Sequence, residues 1–165
     1  MADVIQGLEI RAGDFDDPQV QALLTFHLKS MLEASPPGTA FALDWSGLQT
    51  PDITFETAWD DETLLGCGAI RELSPTHGEL KSMRTHPDHL RKGVGQRILD
   101  HLLDLARARG YQKVSLETGT DGPFIPALEL YKRYGFQKGE TFAGYPPSDF
   151  NQFYHLDLTA SEPAV

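Results

Sequence analysis

The 165-residue chain contains one cysteine, Cys67, so neither an internal disulfide framework nor a cysteine-rich zinc module can organise it. Nowhere does it hold an apolar run approaching the roughly 20 residues that cross a bilayer. Its first residues, MADVIQGLEIR, lack the basic-then-apolar pattern of a secretory leader. Basic groups are also scarce, 14 against 24 acidic ones, for a formal net charge of −10. That balance argues against the broad cationic face on which a duplex binder releases counterions. Apolar residues are not lacking: at 40% of the chain, with 10% aromatic, they exceed what a disordered chain carries. At this length roughly 70% of the unfolded surface can be buried. One cytoplasmic domain spanning 1–165 is the expectation, with neither nucleic acid nor membrane as partner.

The charge is unevenly placed. Residues 1–79 hold 3 basic and 14 acidic groups, whereas 80–97 hold Lys81, Arg84, Arg91, Lys92 and Arg97 against Asp88 alone. A short basic island in an acidic chain suits a small anion at the island and a cationic partner near the remainder. A solvated charge cluster is the plainer alternative.

Local patterning gives a coarse order of elements. Leu8 to Ala12 reads as a strand. Asp17-Pro18 is a helix start, with aspartate as N-cap and proline at the first helical position. Val20, Leu23, Leu24, Leu28 and Met31 then predict a helix of about 13 residues, with His27 as a half-buried packing residue on that face. Residues 35–52, with three prolines and two glycines, read as a long connection with a short helix near Trp45. Ile53 to Trp59 alternates like a half-buried strand, with Leu64 to Leu73 as its hairpin partner. Thr76-His77-Gly78 makes the next turn, and a strand from Glu79 to Thr85 follows. Val94, Ile98, Leu102 and Leu105, widened by Leu99, Leu103 and Ala106, predict a helix from Val94 to about Arg109, closed by Gly110. Strands are expected at Lys113–Thr118, 136–142 and 153–158. Between the first two lies a helix, starting at Pro123 or Pro126, that presents Ala127, Leu130, Tyr131 and Tyr134 on one face and ends at Gly135. The sum is an α/β fold, a mixed sheet with helices on both faces.

The chemistry begins at residues 79–99, ELKSMRTHPDHLRKGVGQRIL. A strand runs into a turn holding Gly93 and Gly95, and a long helix starts at once. The first turn of a helix has unpaired N–H groups and a positive dipole end. Glycines let a pyrophosphate approach those groups closely. Gly95 is followed by Gln96-Arg97, which excludes a Walker loop. Ile98 stands where a dinucleotide fingerprint needs its third glycine.

Leu90-Arg91-Lys92-Gly93-Val94-Gly95 resembles the acetyl-CoA motif Arg/Gln-x-x-Gly-x-Gly/Ala of the GNAT superfamily of N-acetyltransferases, departing from it at Leu90. Further on, Ala127-x-x-Leu130-Tyr131-x-x-x-Gly135-Phe136 is similar to that family's later helix signature. Phe124 and Ile125 occupy the region where the family often places an asparagine. The two motifs and the element order cover residues 53–142.

The resemblance implies a central mixed sheet whose two middle strands splay apart to admit the pantetheine arm of acetyl-CoA. The backbone of Met83, Arg84 and Thr85 would pair with that arm, and Arg91, Lys92, Gly93, Val94, Gly95 and Gln96 would surround the pyrophosphate. A backbone N–H on the splayed strand would stabilise the oxyanion, and the acceptor amine would attack the thioester directly. Cys67 is then a core residue rather than a nucleophile. Tyr131 matches the family's proton donor to the departing thiolate. For the base that deprotonates the amine, Glu79 ranks first. Glu117, on the neighbouring strand, is a candidate to bind the amine or act as base, and His86 has a suitable ordinary pKa but precedes Pro87 in a loop. Specificity is expected in 35–52 and in the loop 144–152, where Tyr145, Phe150 and Asn151 would form a lid over the acceptor or merely join two strands. The expected reaction is acetyl transfer to a primary amine of a small molecule. Alternatives are acetylation of a protein or peptide amine, and a non-catalytic CoA-binding regulatory module. Sheet edges in such folds often serve as dimer contacts, so a homodimer remains open.

Overall fold

A computed structural model describes residues 7–120 and 122–159. Seven strands form one sheet in the order β1-β2-β3-β4-β5-β7-β6: β1 Glu9–Ala12, β2 Ile53–Asp60, β3 Thr63–Ser74, β4 His77–Thr85, β5 Lys113–Thr118, β6 Gln137–Gly139 and β7 Gln152–Asp157. Every neighbouring pair is antiparallel except β4 and β5, which run parallel. Helices α1 (Pro18–Ala34) and α2 (Trp45–Leu48) accompany one face, and α3 (Val94–Ala108) and α4 (Ile125–Arg133) the other. Among the described residues no helix is long and apolar enough to cross a membrane.

The helix signals act as their chemistry requires. Asp17 accepts hydrogen bonds from the Gln19 and Val20 amides at 2.8 and 3.3 Å, satisfying two N–H groups that no earlier carbonyl can reach. The resulting α1 runs 17 residues, longer than its apolar stripe implied, because nothing after Met31 breaks it before Ser35. Val20, Leu23, Leu24 and His27 are its buried residues, and the first three pack with Phe55, Trp59, Leu64, Cys67 and Ala69. On the other face, Ile98, Leu99 and Leu102 are 1% exposed or less, so truncating Leu99 or Leu102 to alanine should cost about 2–5 kcal/mol.

Three local expectations need correction. The β3–β4 turn is Pro75-Thr76, and His77 and Gly78 already belong to β4, because Gly78 pairs with Glu72 on one side and Val114 on the other. The strand expected over 136–142 is only Gln137–Gly139, since Phe142 instead packs its ring among His77, Tyr145, Phe153 and His155. Helix α4 buries Leu128 and Tyr131, while Ala127 is exposed and Leu130 and Tyr134 are partly so.

Two irregularities shape the middle of the sheet. Strand β4 pairs with β5 only at His77, Gly78 and Glu79. Beyond Glu79 the peptide groups on that edge lose their strand partner. At Ser82 the backbone turns to φ 54°, and the register against β3 slips, with the four residues Lys81 to Arg84 set against the three from Cys67 to Ala69. Such a bulge adds twist and re-aims the following residues. Lys81 and Arg84 consequently project from the same face.

Candidate acetyl-transfer site

The divergence of β4 and β5 opens a cleft of about 500 Å³. Its walls include Glu79, Lys81, Ser82, Met83, Arg84 and Thr85 from β4, with Leu116, Glu117 and Thr118 from β5. Segment 39–42 lines one side, and Gly119, Phe124 and Phe150 line another.

At one end stand Leu90, Thr85 and Gly95, where α3 begins. Gly93 is the N-cap of α3, at φ 80° and without a side-chain capping bond, and Arg91 is also left-handed at φ 63°. The first-turn N–H groups are thus left for an external acceptor, beside the cations of Arg91 and Lys92. A Cβ on Gly93 would stand in open space, and one on Gly95 would meet only Leu130 and Thr85, each at 3.6 Å. Of the six residues expected around the pyrophosphate, Gly95 lines the cleft. Val94 is 1% exposed and offers only its backbone. Arg91 and Gln96 are exposed and not part of the cleft lining, and Lys92 reaches His89 at 3.3 Å.

Deeper in, the face toward α1 carries a buried ionic cluster. Glu79 is 1% exposed. Its Oε2 lies 3.3 Å from Lys81 Nζ and accepts a 2.5 Å hydrogen bond from the Tyr145 hydroxyl. Lys81 in turn donates to that hydroxyl at 2.7 Å. The other oxygen, Glu79 Oε1, is buried without a hydrogen-bond partner among the described residues. Burial, then the hydrogen bond to Glu79, pushes the Tyr145 hydroxyl far above its ordinary range, so it remains a donor. Phe41 packs on Tyr145 with ring centroids 5.1 Å apart, bringing the 35–52 connection against the 144–152 loop.

Glu117 lies across the cleft from β4. Burial pushes its carboxyl above the ordinary range, opposed by a hydrogen bond from Asn151. Asn151 is not on the cleft wall. Its amide donates to Glu117 at 2.9 Å and to the Thr39 carbonyl at 3.0 Å, and its oxygen accepts from Ser148 at 2.5 Å. A side chain so committed meets the cleft wall through Glu117. Tyr131 lines the cleft from α4 and packs edge-on against Phe136. Burial alone drives its hydroxyl above the usual tyrosine range. His86 stays in the loop, where its Nδ1 accepts from the Asp88 amide at 3.1 Å. Cys67 is 1% exposed, and burial pushes its thiol up to about 12, the state of a core residue and not of a nucleophile.

Sequence reasoning did not find Lys81 as a partner of Glu79, nor the anchoring of Tyr145 upon both. The alternation Glu79-x-Lys81 put both on one strand face, but nothing local marked that face as buried.

The uncapped first turn of α3 thus stands beside a parallel strand pair that parts after three residues, with the buried Glu79–Lys81–Tyr145 cluster in the gap. The acetyltransferase (GNAT) family model matches residues 20–136, and the chain belongs to that family. It is 47% identical over 138 residues to the uncharacterized N-acetyltransferase YsnE of Bacillus subtilis (strain 168), covering 84% of this chain and 91% of that protein. Among solved structures, the putative acyl-CoA N-acyltransferase of Klebsiella pneumoniae superposes with a TM-score of 0.76 at 27% identity, over 92% of this chain and 98% of that one. A GNAT family acetyltransferase from Elizabethkingia anophelis with acetyl-CoA bound superposes with a TM-score of 0.66 at 14% identity, over 93% and 100% of the two chains. The protein is an N-acetyltransferase, and acetyl-CoA is its co-substrate.

Proposed function

We propose that the acceptor is a primary amine of a small molecule and that Glu79 is the group that deprotonates it. The cleft volume carries this reading. About 500 Å³ is ordinary for one compact ligand, and here it must admit both the acyl end of the co-substrate and the acceptor. Segment 39–42 on one side and Phe124 and Phe150 on another leave room for a small amine rather than a folded protein surface.

Acetyl-CoA brings an acetyl group activated as a thioester. The chain supplies position and proton traffic. The uncapped first turn of α3, with Arg91 and Lys92, would hold the diphosphate. The unpaired edge of β4 from Met83 to Thr85 would offer its peptide groups to the pantetheine arm, as a sheet edge does to an added strand. A backbone N–H on the same edge would stabilise oxyanion charge. Glu79 Oε1, without a hydrogen-bond partner among the described residues, would take the proton of the incoming ammonium. Oε2 is meanwhile fixed by Lys81 and Tyr145. Glu117 would attract the ammonium by charge from the facing strand. Tyr131, kept protonated by burial, would give its proton to the departing sulfur.

The test is a panel of small primary amines and short peptides assayed for CoA thiol release, beside thermal unfolding with and without acetyl-CoA. Small amines should turn over at least tenfold faster in kcat/KM than N-terminal amines of longer peptides. Faster turnover of long peptides would assign the acceptor to proteins. Acetyl-CoA stabilisation without turnover of any amine would favour a non-catalytic CoA-binding module.

A further inference from the structure

On the α1 face of the cleft, Arg84 presents a cation with no anion. Its guanidinium donates from Nε to His27 Nδ1 at 2.9 Å and lies over the Phe26 ring at 5.4 Å. Among the described residues it has no carboxylate partner. Both Arg84 and His27 line the cleft. An arginine can only donate, so His27 Nδ1 must accept, and the neutral ring carries its proton on Nε2. His27 is 6% exposed, and burial, with Arg84 beside it, pulls its pKa down to about 3. The pair thus combines one partly buried, uncompensated positive charge with a ring held neutral, whose second nitrogen carries an N–H. Leaving a charge without a partner in such a place is costly, and an incoming anion removes the cost.

We propose that Arg84 and His27 form an anion subsite that binds a carboxylate carried by the acceptor, making the substrate an amino acid or short peptide with a free carboxylate. One formal positive charge and a neutral N–H match a monoanion better than a phosphate dianion. Strand register sets the length of that acceptor. Glu79 lies opposite Arg71 and Arg84 opposite Cys67, four positions apart on β3, or roughly 13 Å along the strand. An acceptor reaching both ends needs several bonds between amine and carboxylate, as in an ω-amino acid or a dipeptide. The expected acceptor is therefore longer than an α-amino acid. The inference rests on the acetyl-transfer reading of the cleft.

The experiment compares glycine, β-alanine, γ-aminobutyrate, δ-aminovalerate and ε-aminocaproate with n-alkylamines of matched length. Each is measured as kcat/KM by thiol release and as a competitive ligand in the presence of CoA. A longer amino carboxylate should exceed its alkylamine at least tenfold. Arg84→Met should lower that ratio about 10- to 100-fold, the value of a charge-assisted hydrogen bond. Arg84→Lys, which keeps the charge, should retain part of it. Stabilisation of each variant by CoA shows that it is folded. An equal rate for amino carboxylates and alkylamines overturns the subsite. So does a ratio that Arg84→Met leaves unchanged, or glycine as the best acceptor. Binding of acetyl-CoA with neither series competing overturns it too, while leaving the cofactor reading in place. Absence of any acetyl-CoA effect would instead remove the transfer reading itself.

Discussion

Replacing Glu79 by glutamine separates two jobs of one side chain. The side chains of Lys81 and Glu79 are 7% and 1% exposed, so the variant leaves a buried ammonium facing a neutral amide. Breaking one partner of a buried pair costs about 3–5 kcal/mol. A domain of this length loses about 2–4 °C of midpoint per kcal/mol, so Tm should fall roughly 6–20 °C. As proton acceptor the same carboxylate contributes about 10²- to 10⁴-fold to rate, and kcat should fall accordingly. The double variant Glu79→Gln/Lys81→Met discriminates between the two effects. Removing both charges from a buried pair is often neutral or stabilising, so most of the lost midpoint should return. The lost rate should not. The assays are thermal unfolding and steady-state thiol release at saturating acetyl-CoA. A single variant with kcat within threefold of the parent, or a double variant whose activity recovers with its stability, would refute the assignment of Glu79 as base.

Three further outcomes are expected. Gly93→Ala forces a side chain to φ 80° at a cost of about 1–2 kcal/mol and puts a methyl into the space open to the diphosphate. Acetyl-CoA affinity, read by titration, should fall at least tenfold. Tyr131→Phe should lower kcat without raising the KM for acetyl-CoA. The alkaline limb of the parent's pH profile should persist in it, because burial already holds the Tyr131 hydroxyl above the usual range. His27 has its folded pKa lowered to about 3 from an unfolded value of roughly 6.5. Its contribution to stability is therefore present above about pH 6.5 and lost on descent toward pH 3, at about 1.4 kcal/mol per pH unit. His27→Gln should flatten urea midpoints measured across that window, and an unchanged slope would contradict the buried neutral ring.

The elements that close through neighbours were legible in the chain. Asp17-Pro18 starts α1, the apolar rows of α3 recur at helical period, and Gly93 and Gly95 stand where the strand-to-helix junction needs them. Each depends on contacts a few residues apart, so composition and spacing record it. Strand ends were less legible: the switch at Pro75-Thr76 depends on pairing with both neighbouring strands, and β6 stops where Phe142 finds ring partners rather than where its own residues change.

The site itself divides the same way. By itself the sequence determined the family motifs, the glycine-bearing strand-to-helix junction at the start of α3 and the candidacy of Glu79, Glu117 and Tyr131. Only the tertiary structure decided which of these have partners. Tyr145 reaches Glu79 across 66 residues and Arg84 reaches His27 across 57. In neither pair does one residue's local pattern reveal the other. The bulge at Ser82 turns Lys81 and Arg84 to one face, α1 and the loop bearing Tyr145 cover that face, and the parting of β4 from β5 leaves it open to a ligand. Charge and reactivity are set by burial and by what stands opposite, and both arise only when distant strands are brought together.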